Sequence, residues 1–293
     1  MPEIFSGTFF HKEIIMSIRI AQLQLPVFSS KEDTYSHVTA ACERAAAAGA
    51  DLIALPEMFC CPYETSNFPL YAEKEGGVTW QFAADLARRL GVYLSAGSMP
   101  EVDEAGCIYN TAYVFDRQGK QIAKHRKMHL FDINVKGGQA FQESLTLTPG
   151  NEVTVFDTEF GRMGLCICYD FRFPELCRLM ALQGAQIILV PAAFNMTTGP
   201  AHWELTFRSQ ALYNQVFTVG TAPARDLTAS YHSWGHSIVV DPWGTVVSQM
   251  DETPDLRMID IDPSRTGEIR EQLPLLRHRR EDVYQLTQLV FDK

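Results

Sequence analysis

Strand-like and helix-like segments alternate along almost the whole of this chain, and that alternation limits the folds open to it. Residues 17–25, SIRIAQLQL, alternate apolar and polar side chains and predict a strand. Residues 37–50 are rich in helix formers and stop at a glycine, and residues 51–55 form a short apolar strand that runs into Pro56–Glu57. Residues 80–90 predict an amphipathic helix with Arg88 and Arg89 in its last turn and Gly91 after it, the polarity a helix prefers. Strands are expected over 92–98, 109–115, 121–124, 153–157, 163–168, 186–191, 216–221, 237–241, 245–247 and 258–261, with helices over 174–183 and 202–215. Both crossovers and hairpins occur in this order, so the expected fold is α/β, with mixed sheets and helices on the outer faces.

No Pro/Gly/Ser-rich linker, repeat or low-complexity run divides the 293 residues, and one domain accounts for them. Residues 17–262 hold the domain, 1–16 read as an N-terminal extension, and 263–293 as a helix and tail packed on the domain or a partner. The net charge of −10 argues against nucleic acid or an anionic membrane as the main partner. No stretch approaches the ~20 apolar residues of a membrane span, and residues 1–15 lack the basic start and apolar run of a secretory signal. Seven scattered cysteines, an odd number, suit a reducing compartment, and the cytoplasm is expected.

Three predicted strands end on residues with chemical potential. In Gly164–Glu175, GLCICYDFRFPE, an apolar strand runs into Cys168 and Pro174 then opens a helix. A cysteine at such a turn is expected to be exposed at the sheet edge, near backbone N–H groups able to hold an oxyanion. The competing reading is a small buried hydrophobe, and the setting alone does not separate the two. Cys166, inside the apolar run, belongs to the core. A thiol with a pKa near ~8.5 needs a base or a nearby cation. The pairs His125/His129 and His232/His236 have helical metal-ligand spacing, but neither lies in a convincing helix and no zinc pattern is completed. Glu57, in LIALPEMF, either turns into solvent or is placed as a base at a strand end. Lys127, in AKHRKMHLFD, is either part of a solvated basic loop or a positive charge facing a thiolate. An acid, a lysine and a cysteine at three strand ends carry more weight together, because strand ends are where α/β sheets gather their sites.

LPEMF, HRKMHLFD and GLCICYDFRFPE, in that order, resemble the Glu–Lys–Cys motifs of the nitrilase (carbon–nitrogen hydrolase) superfamily. The likeness runs from about Ser17 to Asp262. FQESLTLTPG, PAAFNMTTGPAHWEL, RSQALYNQVF, PARD, WGHSIVVDPWG and IREQLPLLRHRREDVY are similar to its omega-amidase branch, which hydrolyses 2-oxoglutaramate and 2-oxosuccinamate. The resemblance implies an αββα sandwich paired into an αββα–αββα homodimer. It implies Glu57 as general base, Lys127 as oxyanion-stabilising lysine, Cys168 as nucleophile and Glu143 as the second glutamate that holds the lysine. It implies no metal and no cofactor. GLCICYD departs slightly, placing a second cysteine where a glycine or small residue is usual.

Substrate selection is expected from Arg172, whose fork suits a carboxylate, set against a salt bridge that merely braces the turn. Phe194 and Thr198 in AAFNMTTG fall where the omega-amidase branch lines its pocket, Tyr63 adds an aromatic wall, and the backbone N–H of Tyr169 joins Lys127 at the oxyanion. Arg225–Asp226 are expected to brace a loop, and His202 and Trp203 to pack. The partner expected is a small amide, with deaminated-glutathione amidase, N-carbamoyl amino-acid hydrolase and nitrilase activities as alternatives on the same fold. The contrasting class is a catalytically silent scaffold, which would have no need of all four of Glu57, Lys127, Glu143 and Cys168.

Overall fold

In the computed structural model the described residues are 16–289, so the extension expected at the N-terminus lies, apart from Met16, outside them. One sheet holds β1 (Ile18–Gln24), β2 (Leu52–Ala54), β3 (Tyr93–Val102), β4 (Ile108–Phe115), β5 (Gln121–Arg126) and β14 (Asp255–Ile261). Its order is β14-β1-β2-β3-β4-β5. A second holds β8 (Thr154–Thr158), β9 (Gly161–Leu165), β10 (Ile187–Pro191), β11 (Phe217–Thr221), β12 (Ile238–Val240) and β13 (Val246–Gln249), in the order β13-β12-β11-β10-β9-β8. Each has a parallel centre, β1-β2-β3 or β9-β10-β11, flanked by antiparallel neighbours. The mixed sheets expected from the sequence are therefore present twice. A hairpin of β6 (Asp132–Asn134) and β7 (Ala140–Gln142) stands apart.

The helices are α1 (Lys31–Ala47), α2 (Phe68–Tyr71), α3 (Val78–Leu90), α4 (Pro174–Leu182), α5 (Gly199–Asn214) and α6 (Ser264–Gln272). Side-chain alternation along the strands sets the layers. Ile20, Leu52 and Ala112 face Leu165, Leu189 and Val219 across the interior, while Ala21, Ile53 and Leu94 pack under Val38 and Ala45 of α1 and Ala83 and Ala87 of α3. Met180 of α4 and Trp203 and Phe207 of α5 cover the second sheet. The result is an αββα sandwich. No helix among the described residues is long and apolar enough to cross a membrane.

Two local expectations change. The alternation in β1 does not divide core from solvent, because Gln22 and Gln24 are fully buried between the sheets. Gln22 Nε2 donates to Gly220 O at 2.8 Å, and Gln24 Oε1 accepts from Ser237 N at 2.9 Å, so the polar atoms stitch one sheet to the other. Helix α1 begins at Lys31 rather than residue 37, because Ser30 caps it by accepting from Asp33 N, with Glu32 and Asp33 in the first turn. At the far edge β5 approaches β8, where Thr154 Oγ1 donates to Lys124 O at 3.2 Å. That junction brings the end of β5 beside the turn after β9.

Candidate active site

Glu57 stands three residues beyond β2, Lys127 directly after β5, and Cys168 three residues beyond β9. Two glycines seat the first two. A Cβ on Gly97, whose φ is +59°, would come within 2.0 Å of Pro56 O, and one on Gly150 within 2.2 Å of Arg126 O. Only a residue without a side chain lets these backbones approach so closely, immediately before the acid and the lysine. The turns are also sharp: Met58, next to Glu57, has φ +50°, and Cys168 itself +46°. Both lie in the left-handed region that costs a non-glycine residue about 1–3 kcal/mol and that clusters at functional sites.

The acid and the lysine meet in the interior. Lys127 Nζ donates to Glu57 Oε1 at 2.9 Å, to Glu143 Oε1 at 3.0 Å and to the Tyr63 hydroxyl at 3.2 Å. An ammonium has three N–H bonds, so each finds a protein acceptor. Glu57 Oε1 also accepts from Asn110 Nδ2 at 2.9 Å, and its Oε2 from Ala193 N at 2.8 Å. Glu143 Oε1 accepts from the Tyr63 hydroxyl at 2.6 Å and Oε2 from Phe131 N at 2.6 Å. Burial pulls the Lys127 ammonium towards its neutral form, but the Glu143 and Glu57 carboxylates overcome it and hold its pKa above the ordinary lysine value. Burial raises the Glu143 carboxyl despite Lys127. Asn110 Oδ1 is buried without a partner in this structure.

Cys168 is not the last residue of a strand exposed at the sheet edge. Strand β9 ends at Leu165 and Cys168 opens a 3-10 turn, Cys168–Arg172, with only 4% of its surface exposed. Its thiol lies close enough to Glu57 and to the Ala193 N–H for both to act on its ionisation. Burial first, then the Glu57 charge, lift its pKa well above the usual thiol value, and Lys127 only partly compensates. These influences favour the thiol over the thiolate, beside the Glu57 carboxylate.

Arg172, at the end of the same turn, makes no ion pair with a carboxylate among the described residues, so the brace expected as its alternative is absent. Its Nη1 meets His202 Nδ1 at 2.7 Å, its guanidinium lies 4.1 Å from the centre of the Phe194 ring, and its Nε is buried without a partner. Burial lowers its pKa, with Cys168, Tyr169 and Tyr231 pulling the other way. Thr198 Oγ1 donates to Asn195 Oδ1 at 3.0 Å at the start of α5, and the Tyr169 ring packs edge-on against Phe131 and Phe173. Trp203 packs edge-on against Phe194, and Arg225 ties its loop through Trp234 O at 2.8 Å.

A cavity of about 260 Å³ opens onto Glu57 and Tyr63 between Ser29, Glu64, Asp226 and Tyr231. Arg172, Phe194, Thr198 and Tyr169 are not on its wall. Tyr231 joins the two regions: it stacks on Tyr63 at 4.6 Å, donates to Ala193 O, and is close enough to Cys168 and Arg172 for their charges to affect its ionisation. The histidine pairs assemble no metal site among the described residues. His125 and His129 instead both hydrogen-bond Asp170.

Sequence reasoning passed over Asn110, Ala193, Tyr231 and Asp170. Asn110 and Thr111 are a polar pair inside the mostly apolar strand β4, a detectable signal. Ala193 acts through its backbone and leaves none.

The chain matches the carbon–nitrogen hydrolase family over residues 18–271. It is 47% identical to the mouse (Mus musculus) omega-amidase NIT2 over 268 residues, 92% of this chain and 97% of the relative. Among solved structures it is similar to Saccharomyces cerevisiae Nit3, a member of branch 10 of the nitrilase superfamily. That match has a TM-score of 0.83 and 39% identity, and covers 90% of this chain and 97% of that one. The Caenorhabditis elegans NitFhit protein matches with a TM-score of 0.84 and 33% identity, over 92% of this chain and 66% of that one.

Proposed function

The chain belongs to the carbon–nitrogen hydrolase family and is an amidase, and from that premise we propose that it hydrolyses small carboxylate-bearing amides. The substrates are 2-oxoglutaramate and 2-oxosuccinamate, and the route is a thioester on Cys168. One observation carries the reading: Glu57, Lys127 and Glu143 form a single buried hydrogen-bond cluster with the Cys168 thiol against its acid.

In the reaction, Glu57 takes the thiol proton as Cys168 Sγ bonds to the amide carbon. The carbonyl oxygen becomes an oxyanion, held by Lys127 and the backbone N–H of Tyr169. As the C–N bond breaks, Glu57 returns its proton to nitrogen and ammonia departs, leaving the thioester. Glu57 then removes a proton from water, the water oxygen adds to the thioester carbon, and the C–S bond breaks with the proton going back to sulfur. Glu143 keeps Lys127 aimed at the oxygen throughout.

Arg172 receives the substrate carboxylate. Support comes from its lack of a carboxylate partner and its buried, unpaired Nε, beside Phe194 and Thr198. The chain works as a homodimer that covers the outer face of α5, where Leu205, Leu212, Tyr213 and nearby Trp243 are exposed.

Ammonia release decides the activity. Wild-type protein is expected to release it from 2-oxoglutaramate, with an acyl adduct on Cys168 in quenched samples, and Cys168→Ala to release none. Absence of turnover across short ω-amides, N-carbamoyl amino acids and nitriles would remove the proposal.

A further inference from the structure

Asp170 lies two residues beyond Cys168 and is fully buried, yet no step of the proposed reaction uses it. It accepts five hydrogen bonds. Oδ1 takes Met128 N at 3.0 Å, His129 N at 2.8 Å and His129 Nδ1 at 2.8 Å; Oδ2 takes His125 Nε2 at 3.0 Å and Ile167 N at 3.1 Å. The donors are not scattered. Met128 and His129 immediately follow Lys127, His125 precedes it by two residues, and Ile167 immediately precedes Cys168. One carboxylate thus grips the lysine's segment on both sides and the nucleophile's turn at its start. His125 is held from behind by Thr154 Oγ1 at 3.0 Å, and the His129 ring is stacked on Phe173 at 3.7 Å, so the donors are fixed too. Burial works to raise the Asp170 carboxyl, but the bonds from His125 and His129 outweigh it and keep it below the ordinary aspartate value.

We propose that Asp170 is a positioning residue that sets where the Lys127 ammonium stands relative to the Cys168 sulfur, and through that the stabilisation of the oxyanion. The inference rests on the amidase reading. A carboxylate is needed because all five donors point at it, and an amide would turn N–H bonds towards one group of them. The distance matters because oxyanion stabilisation depends on a donor already in place, and a displacement of about 1 Å costs on the order of 100-fold.

The test compares turnover with a reaction of the same sulfur that forms no oxyanion. Asp170→Asn is expected to lower kcat at least 100-fold, with KM within threefold and Cys168 alkylation by iodoacetamide within threefold of wild type. His129→Ala removes one half-buried donor and keeps the carboxylate. It is expected to lower kcat three- to tenfold, again without a matching loss of alkylation, and it decides the matter should Asp170→Asn fail to fold. A folded Asp170→Asn with kcat within threefold of wild type, or losses of kcat and alkylation in parallel in both variants, would overturn the proposal. Wild-type turnover in the same assay tests the amidase reading separately.

Discussion

The Lys127 ammonium gives its longest hydrogen bond, 3.2 Å, to the hydroxyl of Tyr63. Its other two N–H bonds go to carboxylates, so an oxyanion can be served only if one partner is released, and the neutral, most distant one is the least costly to give up. Tyr63 keeps its own proton on Glu143 at 2.6 Å in either case. In the proposed reaction it holds the lysine's third donor until substrate arrives.

Tyr63→Phe leaves the aromatic wall and deletes the hydroxyl. Loss of a buried bond to a carboxylate costs about 1–3 kcal/mol, roughly a factor of 5–150 where it is expressed in rate. The expected result is a lower urea midpoint and a kcat reduced about tenfold, with KM within threefold. Unfolding curves and steady-state kinetics check both.

The resting Cys168 thiol sets a pH signature. Its pKa is raised by burial and by Glu57, so the thiolate, the alkylating form, grows in only above the usual thiol range. Inactivation by iodoacetamide should therefore keep rising beyond pH 9 without a plateau near neutrality. Glu57→Gln removes the negative neighbour, and the midpoint of the alkylation profile should move to lower pH even as turnover is lost.

Arg172→Met should raise KM for 2-oxoglutaramate about 10–100-fold, the worth of a charge-assisted pair of about 1.5–3 kcal/mol, and change it little for a short uncharged amide. Arg172→Lys should recover only part, since lysine lacks the fork. Equal effects on both amides would place the carboxylate elsewhere.

Gly97→Ala and Gly150→Ala should each reduce kcat by an order of magnitude or more, because the added carbon meets the carbonyl of Pro56 or Arg126 and pushes the acid or the lysine away. Gly267→Ala is the control. It sits in α6 with nothing within 4 Å of the added carbon, and alanine there should leave activity unchanged and add up to ~1 kcal/mol of stability in thermal unfolding.

A dimer across α5 predicts that Leu205→Glu yields a monomer by light scattering. Leu205 is 65% exposed in the single chain, so the substitution should not unfold it.

Much of this architecture is legible in the order of strand and helix signals, since apolar runs such as residues 52–55 and 187–191 have few other places to go. What is not legible depends on partners distant in sequence. Gln22 and Gln24 look like solvent-facing polar residues until the second sheet supplies Gly220 and Ser237. The β6/β7 hairpin is short and half polar, too weak a pattern to find. Glu57, Lys127 and Cys168 draw notice as strand-end residues, but the bonds that Asn110 and Ala193 give to Glu57 arise only when segments distant in sequence converge. Tyr63, expected as a wall, shows its hydroxyl role only because residue 143 arrives 80 positions later.

The division of the site between the sheets has a mechanical consequence. The first sheet supplies Glu57 and Lys127, the second supplies Cys168 and the Ala193 N–H, and 2.8 Å separates that N–H from Glu57. The site therefore works as a feeler gauge for the gap between the two layers. A slip too small to register in the circular dichroism of either sheet would open that contact first, and ammonia output would fall while every strand was still paired.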